Sequence, residues 1–143
     1  MSIYLDTGCL VKLYYPEPES QKVAAVVAGL PIFFTPLHEL EFTNALHLKI
    51  FHKNATAAQV QAAEALVEAD VKSGVLLQAV ANWEKVFCSA TDLARHHSAS
   101  IGCRSLDVLH CAAALFLEAD EFLSTDARQK QLAGAIGLKL VTF

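Results

Sequence analysis

No stretch of this sequence is apolar for long enough to cross a bilayer: the longest runs, such as 111–117, fall far short of the ~20 residues a span requires. An integral membrane protein is excluded, and a membrane is not an expected partner. The opening Met-Ser-Ile-Tyr-Leu-Asp lacks a basic segment leading into an apolar stretch, so no secretory leader is expected. Cysteine is sparse and unpatterned. Cys9, Cys88, Cys103 and Cys111 form neither a CxxC pair nor a Cys/His zinc spacing, which predicts free thiols in a reducing cytoplasm rather than a disulfide framework. Positive charge is also scarce: 11 basic residues against 15 acidic ones leave a net charge of -4. Broad electrostatic attraction to nucleic acid or an anionic surface is thereby excluded, and a phosphate-bearing partner must be met locally. A divalent cation meets it by reversing the sign of an acidic pocket. Internal repeats, low-complexity tracts and linkers are all missing.

What is present is a chain of 143 residues, 54% apolar and 18% charged, enough to bury a core and of a length that suits one domain over 1–143. Short β-branched or aromatic runs alternate with segments of helical period. Residues 3–6 read as a strand, 8–14 as a short helix, and 20–28 as a second helix with Pro18 suited to its first turn and Gly29 to its stop. A second strand is expected over 31–35 and a helix over 37–53, which Asn54 can end. Thr56 followed by Gln59 is a capping-box signature for a helix through Lys72, closed by Gly74. Residues 75–80 are strand-like, Asn82 can cap a helix reaching Ser98, and Ser105 another reaching Glu118. A strand over 121–124, a helix over 127–135 and a terminal strand over 139–143 complete the pattern. Strands separated by helices imply crossovers and a mostly parallel sheet of four to five strands, covered on both faces: a three-layer α/β/α fold. In such sheets the functional crevice lies beyond the carboxyl ends of the strands.

Four acids map to that edge. Asp6 follows the apolar Ile3-Tyr4-Leu5, and Asp126 follows the 121–125 run; Asp107 falls in the first turn of a helix, and Glu41 in the first turns of the helix after the second strand. Taken singly each has an ordinary explanation. Asp6 and Asp126 sit where N-caps sit, Asp107 complements a helix dipole, and Glu41 is a solvated helix residue. Taken together in a lightly charged domain, they predict a shared cleft whose mutual repulsion calls for protons, basic partners or a bound cation. Hard oxygen ligands favour Mg²⁺ or Mn²⁺. Helical periodicity does not separate Glu41 from Glu39, since both have apolar neighbours one turn away.

Ordered along the chain, Tyr-Leu-Asp-Thr-Gly-Cys-Leu-Val-Lys-Leu-Tyr with a following Pro-Glu-Pro, Glu-Phe-Thr-Asn-Ala-Leu from Glu41, Leu-Asp-Val-Leu-His-Cys-Ala-Ala-Ala-Leu from Leu106 and Phe-Leu-Ser-Thr-Asp-Ala-Arg from Phe122 resemble the PIN-domain ribonucleases, and among them the VapC-type toxins of toxin–antitoxin pairs. The resemblance spans nearly the whole chain and implies a PIN-like fold. It implies that Asp6, Glu41, Asp107 and Asp126 form a metal-binding catalytic quartet, with Glu41 preferred to Glu39. It departs at Gly8, where Ser or Asn usually stands. The implied activity is endonucleolytic hydrolysis of RNA with Mg²⁺ or Mn²⁺, leaving 5′-phosphate and 3′-hydroxyl ends. The implied partners are RNA, an antitoxin whose C-terminal segment blocks the cleft, and a second copy of the chain, in the cytoplasm.

Within that reading Thr7 and Thr125 are expected to hold neighbouring carboxylates through their hydroxyls. Lys12, Arg104, Arg128 and Lys130 are candidates to neutralise flanking RNA phosphates, with Arg128 the first choice. His110 is expected to be a hydrogen-bonded core residue, His96 and His97 to sit at a helix end, and Trp83 and Phe87 to pack in the core. Asp6-Thr7-Gly8 also spells the motif of aspartic proteases, whose almost wholly β architecture disagrees with the helical signals over 37–53, 57–72 and 105–118. A phosphoacceptor domain would want a second acid beside Asp6 and a lysine ending a late strand, and neither is obvious. A housekeeping PIN nuclease and a catalytically silent PIN-like binding module are the remaining alternatives.

Overall fold

The computed structural model describes all residues from Met1 to Phe143. Four short strands, β1 (Ile3–Leu5), β2 (Ile32–Phe33), β3 (Leu76–Leu77) and β4 (Glu121–Leu123), form one parallel sheet in the order β3-β2-β1-β4. Seven helices connect and cover them: α1 (Thr7–Tyr14), α2 (Ser20–Val27), α3 (Pro36–Phe51), α4 (Ala57–Ser73), α5 (Trp83–Ile101), α6 (Ser105–Phe116) and α7 (Ala127–Ala135).

Side-chain alternation along β1 divides the core. Ile3 and Leu5 point to one face and pack with Leu10, Val23, Phe42, Leu46 and Val60 from α1 to α4. Tyr4 points to the other face and packs with Val86, Val108, Ala112, Phe122 and Leu132 from α5, α6, α7 and β4. The architecture is therefore three-layered α/β/α with a buried central sheet. No helix is long and apolar enough to cross a membrane, and all four cysteines are free thiols.

Local signals set most boundaries. Thr56 and Gln59 close the expected capping box on α4, and Gly74 ends it with φ +82°. Asn82 caps α5 by accepting from the Lys85 amide. An unforeseen capping box opens α3: the Thr35 side chain accepts from the His38 amide, and His38 Nδ1 accepts from the Thr35 amide at 3.1 Å.

Several expectations need correction. The 139–143 segment is not a strand but a single bridge, Phe122 to Leu140, because β4 turns into α7 after Leu123 and leaves no ladder to extend. Arg104, not Ser105, occupies the N-cap of α6, without a side-chain bond. Pro18 precedes α2, whose N-cap Glu19 lies in the left-handed region at φ 73° and so starts the helix only at Ser20. His52 and not Asn54 caps α3, with Lys53 at φ 59°. Helix α5 runs on to Ile101, which places His96 and His97 before its last turn. Phe87 is 57% exposed, because Val86 and Ala90 take the core-facing positions of α5.

Candidate active site

Register places the first pair of groups. Leu5 of β1 is level with Leu123 of β4, and the Asp6 amide donates to the Leu123 carbonyl at 3.0 Å, so Asp6 and Ser124 emerge side by side at the carboxyl edge of the sheet. Asp6 caps α1, its Oδ1 accepting from the Cys9 amide at 2.7 Å, while its Oδ2 accepts from the Ser124 hydroxyl at 2.6 Å. Asp126 caps α7 in the same way, its Oδ1 accepting from the Gln129 amide at 2.8 Å. The Ser124 hydroxyl also accepts from the Asp126 amide at 3.0 Å and so joins the two acidic turns. Capping and membership of an acidic cluster are thus compatible at both positions.

Asp107 completes this group from the first turn of α6. Its carboxyl is held above the usual range, mainly by burial and next by the nearby Asp126, with Asp6 adding to the effect. Arg104 spans the cluster, its Nε 3.7 Å from Asp107 Oδ2 and a terminal nitrogen 3.8 Å from Asp126 Oδ2. These are loose contacts, longer than hydrogen bonds, made by a side chain that is 77% exposed.

Glu41 reaches the edge from α3. His38, one turn earlier, donates from Nε2 to the Leu5 carbonyl at 2.8 Å and ties the start of α3 to the end of β1. Buried and bonded at both nitrogens, His38 is kept neutral, its pKa lowered to about 3, chiefly by desolvation. Glu41 Oε1 accepts from the Thr7 hydroxyl at 2.8 Å and also meets His110 Nε2. Burial pushes the Glu41 carboxyl upward, but the bonds from His110 and Thr7 outweigh it and leave the acid below its usual value. Its Oε2 has no protein partner.

The expected hydroxyls divide. Thr7 holds Glu41, whereas Thr125 makes no side-chain hydrogen bond and its neighbour Ser124 binds the carboxylate instead. Arg128 is exposed and forms no ion pair; Lys130 is partly buried on α7; Lys12 lines a shallow depression with Gly8, Lys49 and His52. Glu39 lies elsewhere, in an open depression of about 460 Å³ between α3 and α4 that contains none of the four acids.

No three carboxylate, imidazole or thiolate groups stand close enough to form a ready-made ion cage. The donor chemistry nonetheless suits a hard divalent cation: oxygen atoms only, Glu41 Oε2 free of protein partners, and an Asp107 whose like-charged neighbours are only loosely compensated by Arg104. Asp6, Asp107, Asp126 and Glu41 are the residues present that could hold such an ion.

A sequence match to the PIN domain spans residues 3–135, from β1 to the end of α7. The chain belongs to the PIN-domain family. Solved structures are similar to this chain in fold. FitAcB from Neisseria gonorrhoeae superposes with a TM-score of 0.63 at 13% identity, covering 98% of this chain and 96% of that one. VapBC2 from Rickettsia felis, solved bound to a DNA fragment from its promoter, gives a TM-score of 0.66 at 14% identity, covering 99% and 98%. At such identities the likeness is one of fold. No curated protein sequence matches the chain.

Proposed function

We propose that this PIN-domain protein is a Mg²⁺- or Mn²⁺-dependent endoribonuclease and the toxin of a type II toxin–antitoxin pair. The observation that carries the reading is the gathering of Asp6, Asp107 and Asp126 at one sheet edge, with Glu41 brought to the same edge by Thr7 and His110. Membership of the PIN family and the likeness of fold to VapBC2 support the toxin assignment and an antitoxin partner.

The divalent ion, when bound, would polarise the scissile phosphate and lower the pKa of a bound water. The residues of the chain supply the rest. Asp6 and Asp107 offer ligand oxygens, with Asp126 acting directly or through water. Asp6 and Asp126 are pre-aimed, because backbone amides hold Asp6 Oδ1 and Asp126 Oδ1. Glu41, ionised and with Oε2 unengaged, orients the attacking water and takes its proton. The water oxygen bonds to phosphorus, the P–O3′ bond breaks, and the departing oxygen gains a proton to give a 3′-hydroxyl and a 5′-phosphate. Arg104, with its exposed guanidinium, is the basic side chain best placed to meet the substrate phosphate; Arg128, Lys12 and Lys130 would contact flanking phosphates.

The test is cleavage of total RNA by purified protein with Mn²⁺, with EDTA, and with Asp6→Asn and Asp107→Asn. Loss of cutting in all three controls is expected; variants that cut as fast as wild type would refute the mechanism. A second reading, a silent binding module, is favoured by Arg104 standing across Asp107 and Asp126 where a cation would go. It predicts no Mn²⁺ binding at millimolar concentration by calorimetry, for wild type and Asp6→Asn alike.

A further inference from the structure

Glu41 is anchored by a residue to which the proposed chemistry gives no direct part. His110 is buried in α6, one turn after Asp107. The other buried histidine, His38, is satisfied within its own helix cap and the sheet: Nδ1 meets the Thr35 amide and hydroxyl, and Nε2 donates to the Leu5 carbonyl. His110 spends both nitrogens on side chains: Nδ1 lies 2.8 Å from the Tyr4 hydroxyl, and Nε2 meets Glu41 Oε1 and lies 3.1 Å from Thr7 Oγ1.

The proton order in this chain follows from its ends. Tyr4 is fully buried and stacked on Phe122, with its hydroxyl on His110 Nδ1 at one end of the chain, and the Glu41 carboxylate stands at the other. A carboxylate oxygen only accepts, so Nε2 is the donor to Glu41 Oε1, and a ring carrying that one proton accepts from the Tyr4 hydroxyl at Nδ1. The Thr7 hydroxyl donates to the same Oε1. His110 from α6 and Thr7 from α1 thus meet one oxygen of an acid on α3, with Tyr4 from β1 behind the histidine.

We propose that His110 is a positioning residue: with its tautomer set by Tyr4, its Nε2–H and the Thr7 hydroxyl hold Glu41 Oε1 and leave Oε2 as the single oxygen offered to cation and water. The inference rests on the nuclease reading of the site. Partners of this kind are worth about 10- to 100-fold in metal affinity or activity.

Nitrogen-15 NMR of the unloaded wild type should show His110 as the Nε2–H tautomer, and Tyr4→Phe should mix it with the Nδ1–H form. His110→Asn retracts from Glu41 and should weaken Mn²⁺ binding by calorimetry and lower kcat, each within that range, with KM for RNA unmoved. His110→Gln, whose Nε2 amide reaches the same place, should retain both to within a few-fold, at a thermal stability matching that of His110→Asn. An Nδ1–H tautomer in the wild type, or Asn and Gln variants that behave alike, overturns the proposal. Should His110→Asn fail to fold, the wild-type tautomer and the Gln and Tyr4→Phe variants still decide it. A wild type that binds no Mn²⁺ ends the nuclease reading and this one together, whereas Mn²⁺ binding unchanged in His110→Asn ends this one alone.

Discussion

Replacing Arg104 with alanine should tighten divalent-cation binding and weaken RNA binding, two opposite effects from one side chain. The guanidinium stands 3.7 Å from Asp107 Oδ2 and 3.8 Å from Asp126 Oδ2, and most of it faces water. Two unit charges at this separation attract by about 1 kcal/mol in bulk water, and exposed pairs are worth about 0.2 to 1 kcal/mol each. The two contacts therefore hold the arginine across the acids by roughly 0.4 to 2 kcal/mol. A cation entering between Asp107 and Asp126 must displace it, so its removal should lower Kd for Mn²⁺ by roughly 2- to 30-fold, read by calorimetry at low salt. The same variant loses one phosphate contact, and the slope of log K for RNA against log salt should fall by about one. Weaker Mn²⁺ binding in Arg104→Ala would refute this reasoning, since the guanidinium would then be supporting the carboxylates rather than standing in for the ion.

Other predictions concern the frame around the acids. Ser124→Ala removes a buried hydroxyl that joins Asp6, Gln129 and the Asp126 amide and should cost about 1 to 3 kcal/mol in urea denaturation; a loss within error would show that Asp6 does not depend on it. Because burial lowers the His38 pKa to about 3 in the folded protein, against about 6.5 for a solvated histidine, the unfolded chain takes up the extra proton. Its contribution is fully present above pH 6.5 and lost on acidification towards 3, at up to about 1.4 kcal/mol per pH unit. The pH slope of stability between 6 and 4 should accordingly flatten by about one proton in His38→Gln, and an unchanged slope would contradict the assignment. Gly8 needs no special backbone conformation, and an added Cβ would meet only Asp6 Oδ1 at 3.6 Å, so Gly8→Ala should stabilise the protein by about 0.4 to 1 kcal/mol in the same assay. Destabilisation would mean that this helix turn needs the missing side chain.

The parts of the fold legible in the sequence were those written in local pattern. A short strand-like run ending in an acid marked Asp6 after Ile3-Tyr4-Leu5 and Asp126 after the 121–125 run, and Thr56 with Gln59 marked the start of α4. What escaped was lateral. Thr125 looked like the hydroxyl partner because it adjoins Asp126, yet the pairing of Leu5 with Leu123 puts Ser124 beside Asp6, and pairing register is not encoded within either strand. The link from His110 to Tyr4 crosses 106 positions; the alternation in β1 was the available signal, since it turns Tyr4 alone towards the face that α6 covers. Thr35-x-x-His38 has the spacing of a capping box with histidine in the place of glutamate, and went unread for that reason. The 139–143 segment has strand composition, but whether it pairs depends on how far β4 continues, which lies outside the segment.

A titration of Mn²⁺ into wild type, Asp6→Asn, Asp107→Asn, Glu41→Gln and Glu39→Gln tests most directly whether distant acids share one ion. The account predicts saturable binding that is abolished by the two Asp changes, weakened by Glu41→Gln and untouched by Glu39→Gln. Equal affinity in all five proteins, or a loss confined to Glu39→Gln, would contradict it.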